Sequence, residues 1–134
     1  MAYQSFEDLE VWQRRCRLSV AIYNAFEGCR RFSLKDQVER AGLSIPSNIA
    51  EGAERGSAKD FARFLNVSKG SCGELRTQLY IARKLKALAK NESEKLVAET
   101  KEISAMLQGL RRSVLTKSRP KQKRSRRKCL KLNS

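Results

Sequence analysis

The sequence LVAETKEISAMLQGLRRSV, at residues 96–114, decides the fold class. Its seam positions alternate steps of four and three residues, and they are Leu96, Thr100, Ile103, Leu107, Leu110 and Val114. This spacing is typical of a helix that lies along the seam of a helical bundle. It predicts a long helix from Glu92 to Leu115, which needs further helices to cover its apolar face.

Four helix starts share a capping signature, in which Ser or Asn is followed three residues later by an acid. The signatures begin at Ser5, Ser33, Ser57 and Asn91. The cap oxygen can accept from an orphan backbone N–H, and the acid complements the helix dipole. An apolar pattern of helical period follows each signature. It predicts helices over 6–26, 34–54, 58–90 and 92–115, with a break in the third near Leu85.

The composition favours the same fold. The chain of 134 residues has the size of one domain, and its low counts of Gly 7 and Pro 2 favour helix over an all-β fold. Short connections between long helices make sequential neighbours antiparallel. We therefore predict an all-α, antiparallel up-down-up-down four-helix bundle over residues 1–116. Residues 117–134, where the apolar pattern stops, are predicted to be a disordered basic tail.

Proline and glycine inside the helices carry predictions about packing. Pro46 removes one backbone hydrogen bond and crowds the carbonyl of Gly42, but the apolar phase continues, so we expect a kinked, continuous second helix. Gly70 and Gly73 each cost about 1 kcal/mol relative to alanine, which indicates close helix approach. The first helix has a wider apolar surface than one seam needs, which fits either a subunit interface or wrapping by its neighbours.

Cysteine and histidine counts limit the possible sites. The chain has four cysteines, no CxxC pair and no histidine, so we expect no metal site and no cofactor. Cys16 and Cys72 are predicted to be small core residues. No signal peptide precedes Phe6, and no apolar run approaches the roughly 18 residues of a membrane span. We therefore expect a cytoplasmic protein with reduced thiols and no membrane partner.

The charge is concentrated at the C-terminus. Lys+Arg 29 against Asp+Glu 14 gives +15, of which residues 117–134 supply +9, from nine bases and no acid. These bases are Lys117, Arg119, Lys121, Lys123, Arg124, Arg126, Arg127, Lys128 and Lys131. Such a tail can neutralise phosphates with little base discrimination, which predicts a nucleic-acid partner. The alternative is a tail that only aids solubility.

Bases on the helices extend this prediction. The candidate nucleic-acid contacts on the bundle are Arg14, Arg15, Arg83, Lys84, Lys86, Arg111 and Arg112. The first and third helices run parallel in this topology, so we expect their bases, with Arg30 and Arg31, to meet at one end. Arg111 and Arg112 precede the tail at the other end, near Arg55 and Lys59.

The polar segment at residues 44–52 raises the question of catalysis. A serine nucleophile needs a base, and the chain has no histidine; a lysine could serve instead, but a structural role is simpler. No Glu-x-x-His metal pair and no Walker loop is present. We therefore interpret Pro46, Asn48, Glu51 and Gly52 as a structural motif, which satisfies backbone groups freed by the proline or pairs across the bundle. We expect no enzymatic activity.

The same segment carries a family resemblance. SIPSNIAEG at 44–52, followed by RGS at 55–57, and FEDLEVWQ at 6–13 resemble the four-helix bundle proteins, also called the ribosomal RNA intervening-sequence protein family. The resemblance covers residues 6–115 and implies an up-down-up-down bundle that forms homopentamers. Gly42, where many members carry alanine, departs from the pattern and affects only local helix stability.

A related branch is similar to the accessory variability proteins of diversity-generating retroelements, whose pentamers bind a reverse transcriptase and its template RNA through basic surface. The resemblance therefore implies a non-catalytic, RNA-binding accessory protein that has a reverse transcriptase or another protein as partner. The alternative is an oligomeric protein-interaction scaffold with no direct nucleic-acid role. A third, weaker hypothesis is membrane-surface attachment by the tail bases with Leu130 and Leu132.

Overall fold

Residues 5–117, which the computed structural model describes, form four α-helices joined by short loops. A short 3-10 helix at Phe6–Asp8 precedes α1 (Glu10–Ala25), α2 (Phe32–Glu54), α3 (Ala58–Lys84) and α4 (Lys90–Lys117). Each helix packs against the next, and α1 also packs against α4, so the backbones of α1 and α3 lie on a diagonal. The all-α four-helix fold is confirmed, and no strand occurs within residues 5–117.

Two parts of the predicted architecture remain predictions. The predicted pentamer involves contacts between several copies of the chain, whereas the structure describes one subunit. The predicted disorder concerns residues 118–134, which lie outside the described range. Lys117, which we assigned to the tail, belongs to α4.

The capping signatures predict the correct number of helices, but they do not predict the first residue of each helix equally well. The backbone N–H of Asp60 donates to the Ser57 hydroxyl at 3.1 Å, which confirms the cap of α3. Ser5 makes no cap bond and precedes the 3-10 helix instead. Ser33 and Asn91 lie inside the first turns of α2 and α4. Their backbones are already helical, so neither residue occupies the extended position from which a side chain caps.

The third helix ends near Leu85, as the sequence predicts, and does not reach Lys90. Lys86 has a φ of 59°, in the left-handed region. Its N–H donates to the Arg83 carbonyl at 3.0 Å, and the Ala87 N–H donates to the Ala82 carbonyl at 2.9 Å. These two bonds form a Schellman motif, which terminates a helix and usually places glycine at the left-handed position. A lysine at this position is strained.

The core runs along the centre of the bundle. The wide apolar surface of α1 faces this core only in part. Val11, Leu18 and Ile22 are buried on the inner side. On the outer side Val20 is 61% exposed and Tyr23 42% exposed. Wrapping by the neighbouring helices therefore leaves part of the apolar surface of α1, at Val20 and Tyr23, uncovered within the subunit.

The helices α2 and α3 lie in close contact at Gly52. A β-carbon at this position would lie 2.6 Å from the Phe64 β-carbon and 3.3 Å from the Phe61 ring. Nothing within 4 Å would meet a β-carbon at Gly70 or Gly73. The prediction that these two α3 glycines allow close packing is therefore wrong within the subunit, and the glycine that does so is Gly52.

Pro46 is buried inside a continuous α2, as expected, and the side chains around it pair with α3. The Ser68 hydroxyl donates to the Ile45 carbonyl at 2.8 Å, and the hydroxyls of Ser44 and Ser71 lie 2.9 Å apart. Asn48 donates to the Ser44 carbonyl at 2.7 Å, rather than to the Gly42 carbonyl that the proline leaves without its helical donor. The bonds across the bundle thus use Ser44 and the Ile45 carbonyl, whereas Asn48 pairs within α2.

We expect Gly52→Ala to lower the free energy of unfolding by about 1–3 kcal/mol, because the added methyl group forces α2 away from Phe64. Gly70→Ala is the matched control, and we expect it to raise stability by up to about 1 kcal/mol, since its methyl group meets open space. Urea denaturation followed by circular dichroism measures both changes. Equal effects of the two substitutions would contradict the close approach at Gly52.

Candidate nucleic-acid interface

Arg15, a candidate contact by sequence, lies in the interior of the bundle. Its side chain is 0% exposed, and Nε and Nη2 have no hydrogen-bond partner among the described residues. Nη1 lies 3.8 Å from the Cys72 sulfur, whose thiol in turn donates to the Thr100 carbonyl at 3.1 Å. Burial lowers the pKa of the Arg15 guanidinium to about 10. Arg15 therefore does not present its charge to a ligand, which corrects its assignment as a surface contact.

Arg14 is held by a carboxylate across the bundle. Its Nε and Nη2 donate to the two oxygens of Glu99 at 2.9 and 2.7 Å, which links α1 to α4. This hydrogen bond is the main cause that raises the pKa of Arg14. A bidentate pair of this kind neutralises the arginine. The first helix thus offers neither of its two candidate contacts to a polyanion.

We expect Arg15→Met to raise the free energy of unfolding by about 1–4 kcal/mol, because it replaces an unpaired buried charge with an apolar side chain of similar length. Arg14→Met is the control, and we expect it to lower stability by up to about 1 kcal/mol, since it removes a partly exposed ion pair. Thermal and urea unfolding compare the two variants. A loss of stability in Arg15→Met would mean that the guanidinium has a favourable partner in the folded protein.

Bases without carboxylate partners lie at the end of the bundle where α1 and α3 finish. Arg30, Arg31 and Lys86 line one cavity of about 430 Å³, and Arg83 and Lys84 are exposed beside it. None of these five bases forms an ion pair within residues 5–117. The expectation that the exits of the first and third helices meet at one end is confirmed. We call these five residues the basic end.

The other end of the bundle is less basic than the sequence suggests. Arg55 pairs with Glu51 at 3.0 Å and stacks over the Phe64 ring. Arg111 is half-buried, whereas Arg112 and Lys117 are exposed. The candidate contacts from Arg119 to Lys131 lie outside the described residues.

Sequence reasoning missed two bases in the groove between α3 and α4. The Arg76 guanidinium donates to the hydroxyls of Thr100 and Ser104, each at 3.1 Å. The Lys69 ammonium group donates to the Gln108 side-chain oxygen at 3.1 Å. The available signal was the spacing of seven residues from Lys69 to Arg76 and on to Arg83, which places the three bases along one side of α3.

Other kinds of site find little support in the described part of the chain. No group of three or more Cys, Asp or Glu side chains within residues 5–117 is arranged to hold a metal ion. Cys72 is buried, as predicted, while Cys16 is half-buried, and burial raises the pKa of the Cys16 thiol. None of the described helices is long and apolar enough to cross a membrane.

Comparisons with known proteins agree with this fold. A comparison with curated proteins found no match. The chain is similar to the crystal structure of a protein of unknown function from the S23 ribosomal protein family of Bacteroides thetaiotaomicron. The two share 23% sequence identity with a TM-score of 0.71, over 75% of this chain and 96% of the other. The model of the 23S rRNA-intervening sequence protein family matches residues 7–109, and the chain therefore belongs to that family.

Proposed function

We propose that this protein is a non-catalytic accessory protein that binds the phosphate backbone of nucleic acid, with RNA as the natural partner. The observation that carries the proposal is the basic end, where five cations project from the junction of α1, α2 and α3 without carboxylate partners within residues 5–117. Unpaired cations attract phosphates and release their condensed counterions. The family description names the 23S rRNA intervening sequence, which favours RNA over DNA.

Four arginines outside the basic end, including Arg14 and Arg55, already have carboxylate partners. Arg40 pairs with Asp36 at 3.0 Å, and Arg63 lies 3.5 Å from Asp60. The proposed attraction to RNA comes from the cations that lack such partners, the basic end among them, together with the bases of residues 118–134. Contacts of this type fix position but read no sequence, so the proposed binding is sensitive to salt and tolerant of sequence.

A finer form of the proposal concerns the biological partner. The resemblance to accessory variability proteins suggests a homopentamer that brings a template RNA to the reverse transcriptase of a diversity-generating retroelement. Five copies of the basic tail acting together would increase the affinity strongly through avidity. Co-purification of a reverse transcriptase with the protein would support this form.

The second candidate function is an oligomeric protein-interaction scaffold with no direct nucleic-acid role. It is favoured by Val20 and Tyr23, two apolar residues of α1 that are exposed on the bundle surface. Apolar residues left uncovered in one subunit suit a contact with a second copy or another protein. Partner binding that is insensitive to salt, without co-purifying RNA, would favour the scaffold.

We expect full-length protein to bind RNA with a steep salt dependence, and deletion of residues 118–134 to flatten that dependence without abolishing binding. The basic end accounts for the binding that remains. Fluorescence anisotropy across a salt series measures both affinities, and native mass spectrometry records the number of chains in the same samples. Negligible RNA binding by a well-folded oligomer would favour the scaffold instead.

We expect Lys86→Gly to raise the free energy of unfolding by about 1 kcal/mol, because glycine adopts the left-handed conformation without strain. The same substitution weakens RNA binding, because it removes one cation from the basic end. Lys86→Ala is the matched control, which removes the charge but retains the strain. Stability and RNA affinity are measured on the same protein preparations. An unchanged affinity of Lys86→Gly would exclude this residue from the interface.

A further inference from the structure

The groove between α3 and α4 holds cations in fixed positions without neutralising them. Arg76 is bound by the hydroxyls of Thr100 and Ser104, and Lys69 is bound by the amide oxygen of Gln108. All three partners are uncharged side chains of α4. This contrasts with Arg14, where α4 supplies the carboxylate of Glu99. The same helix therefore neutralises a cation on its α1 side and leaves two cations charged on its α3 side.

These cations continue in a line along the groove. Lys69, Arg76 and Arg83 are separated by seven residues each, so they follow one side of α3 over about 21 Å, at about 1.5 Å per residue. None of the three forms an ion pair within residues 5–117. A polyanion that follows the groove would meet a cation at each second turn of α3.

An aromatic side chain lies at one end of this line. Tyr80, which is 44% exposed, lines a hollow of about 290 Å³ together with Arg83 and Lys101. Glu94 lines the same hollow, so this end carries one acid beside its two bases. An exposed ring next to cations is the combination that single-stranded nucleic acids use, because bases stack on the ring while phosphates meet the charges. An acidic peptide has no nucleobases that could stack on this ring.

We propose that the α3–α4 groove is a binding track for single-stranded nucleic acid. Lys69, Arg76 and Arg83 contact successive parts of the phosphate backbone, and Tyr80 stacks on a base. This inference rests on the proposed function and adds to it a surface that continues from the basic end, with which it shares Arg83. Because α4 already holds Lys69 and Arg76 in place, their side chains lose less conformational freedom on binding than free surface lysines and arginines do.

The test compares the full-length double variant Lys69→Gln/Arg76→Gln with a control that loses the same charge elsewhere. The control is Arg17→Gln/Lys59→Gln, which removes two exposed cations of α1 and of the start of α3 that form no ion pair within residues 5–117. Binding of an oligouridylate is measured across a salt series. For the groove variant we expect the salt slope to fall by about 1.4, which corresponds to roughly 25-fold weaker binding at about 0.1 M salt. The control retains nearly the wild-type slope.

The variant Tyr80→Leu tests base stacking separately from charge. We expect this variant to bind oligouridylate more weakly, with an unchanged salt slope, because it removes stacking and no cation. If wild-type protein binds RNA and both groove variants match it in affinity and slope, the track is wrong while the proposed function stands. If wild-type protein binds no RNA, the proposed function itself fails. Equal competition by polyglutamate would overturn the track in favour of an acidic protein partner.

A chemical footprint covers the case in which the double variant does not fold. Acetylation rates of lysines in wild-type protein are compared with and without oligouridylate by mass spectrometry. We expect bound oligouridylate to slow the acetylation of Lys69 more than that of Lys59, which is exposed at the start of α3 outside the groove. Equal protection of the two lysines would overturn the proposal.

Discussion

The close approach of α2 to α3 at Gly52 is the contact on which the arrangement of the bundle depends. With no side chain at this position, the α2 backbone lies directly against Phe64, and any β-carbon there would force the two helices to shift. This approach brings the Ser44 hydroxyl to Ser71 and the Ser68 hydroxyl to the Ile45 carbonyl. These short polar contacts set the register of α3 on α2. That register turns the other side of α3 towards α4, where Lys69 and Arg76 find their partners.

The fold is predictable because its determinants are local. Apolar period, capping signatures and the phase across Pro46 specify four helices and a continuous α2, and their predicted bounds lie within about four residues of the observed ones, except that α3 ends at Lys84 and not at Lys90. The first residue of a helix is less predictable, as Ser33 and Asn91 show, because a good capping residue is also tolerated inside the first turn. The end of α3 depends on a strained Lys86, and no residue preference in the sequence indicates that strain.

The candidate site is harder to predict because charge depends on partners. Arg14 and Arg15 are adjacent in sequence, yet one pairs with Glu99 and the other is buried unpaired. A signal for Arg15 did exist, since it follows Val11 by four residues and precedes Leu18 by three, which is a seam spacing. No such signal reveals that Glu99 meets Arg14, or that Ser104 meets Arg76. Those pairs follow from the register between helices that are distant in sequence, which local patterns do not encode.

The distribution of ion pairs separates the structural arginines from the available ones. Carboxylates neutralise Arg14, Arg40, Arg55 and Arg63, which lie on α1, along α2 and at the start of α3. The cations of the basic end and of the α3–α4 groove have no such partners within the described residues. Four of the 14 acids are held in these pairs, which consume part of the charge of α1, α2 and the start of α3. The cations without a carboxylate partner keep their positive potential, which can act on a polyanion over about a Debye length.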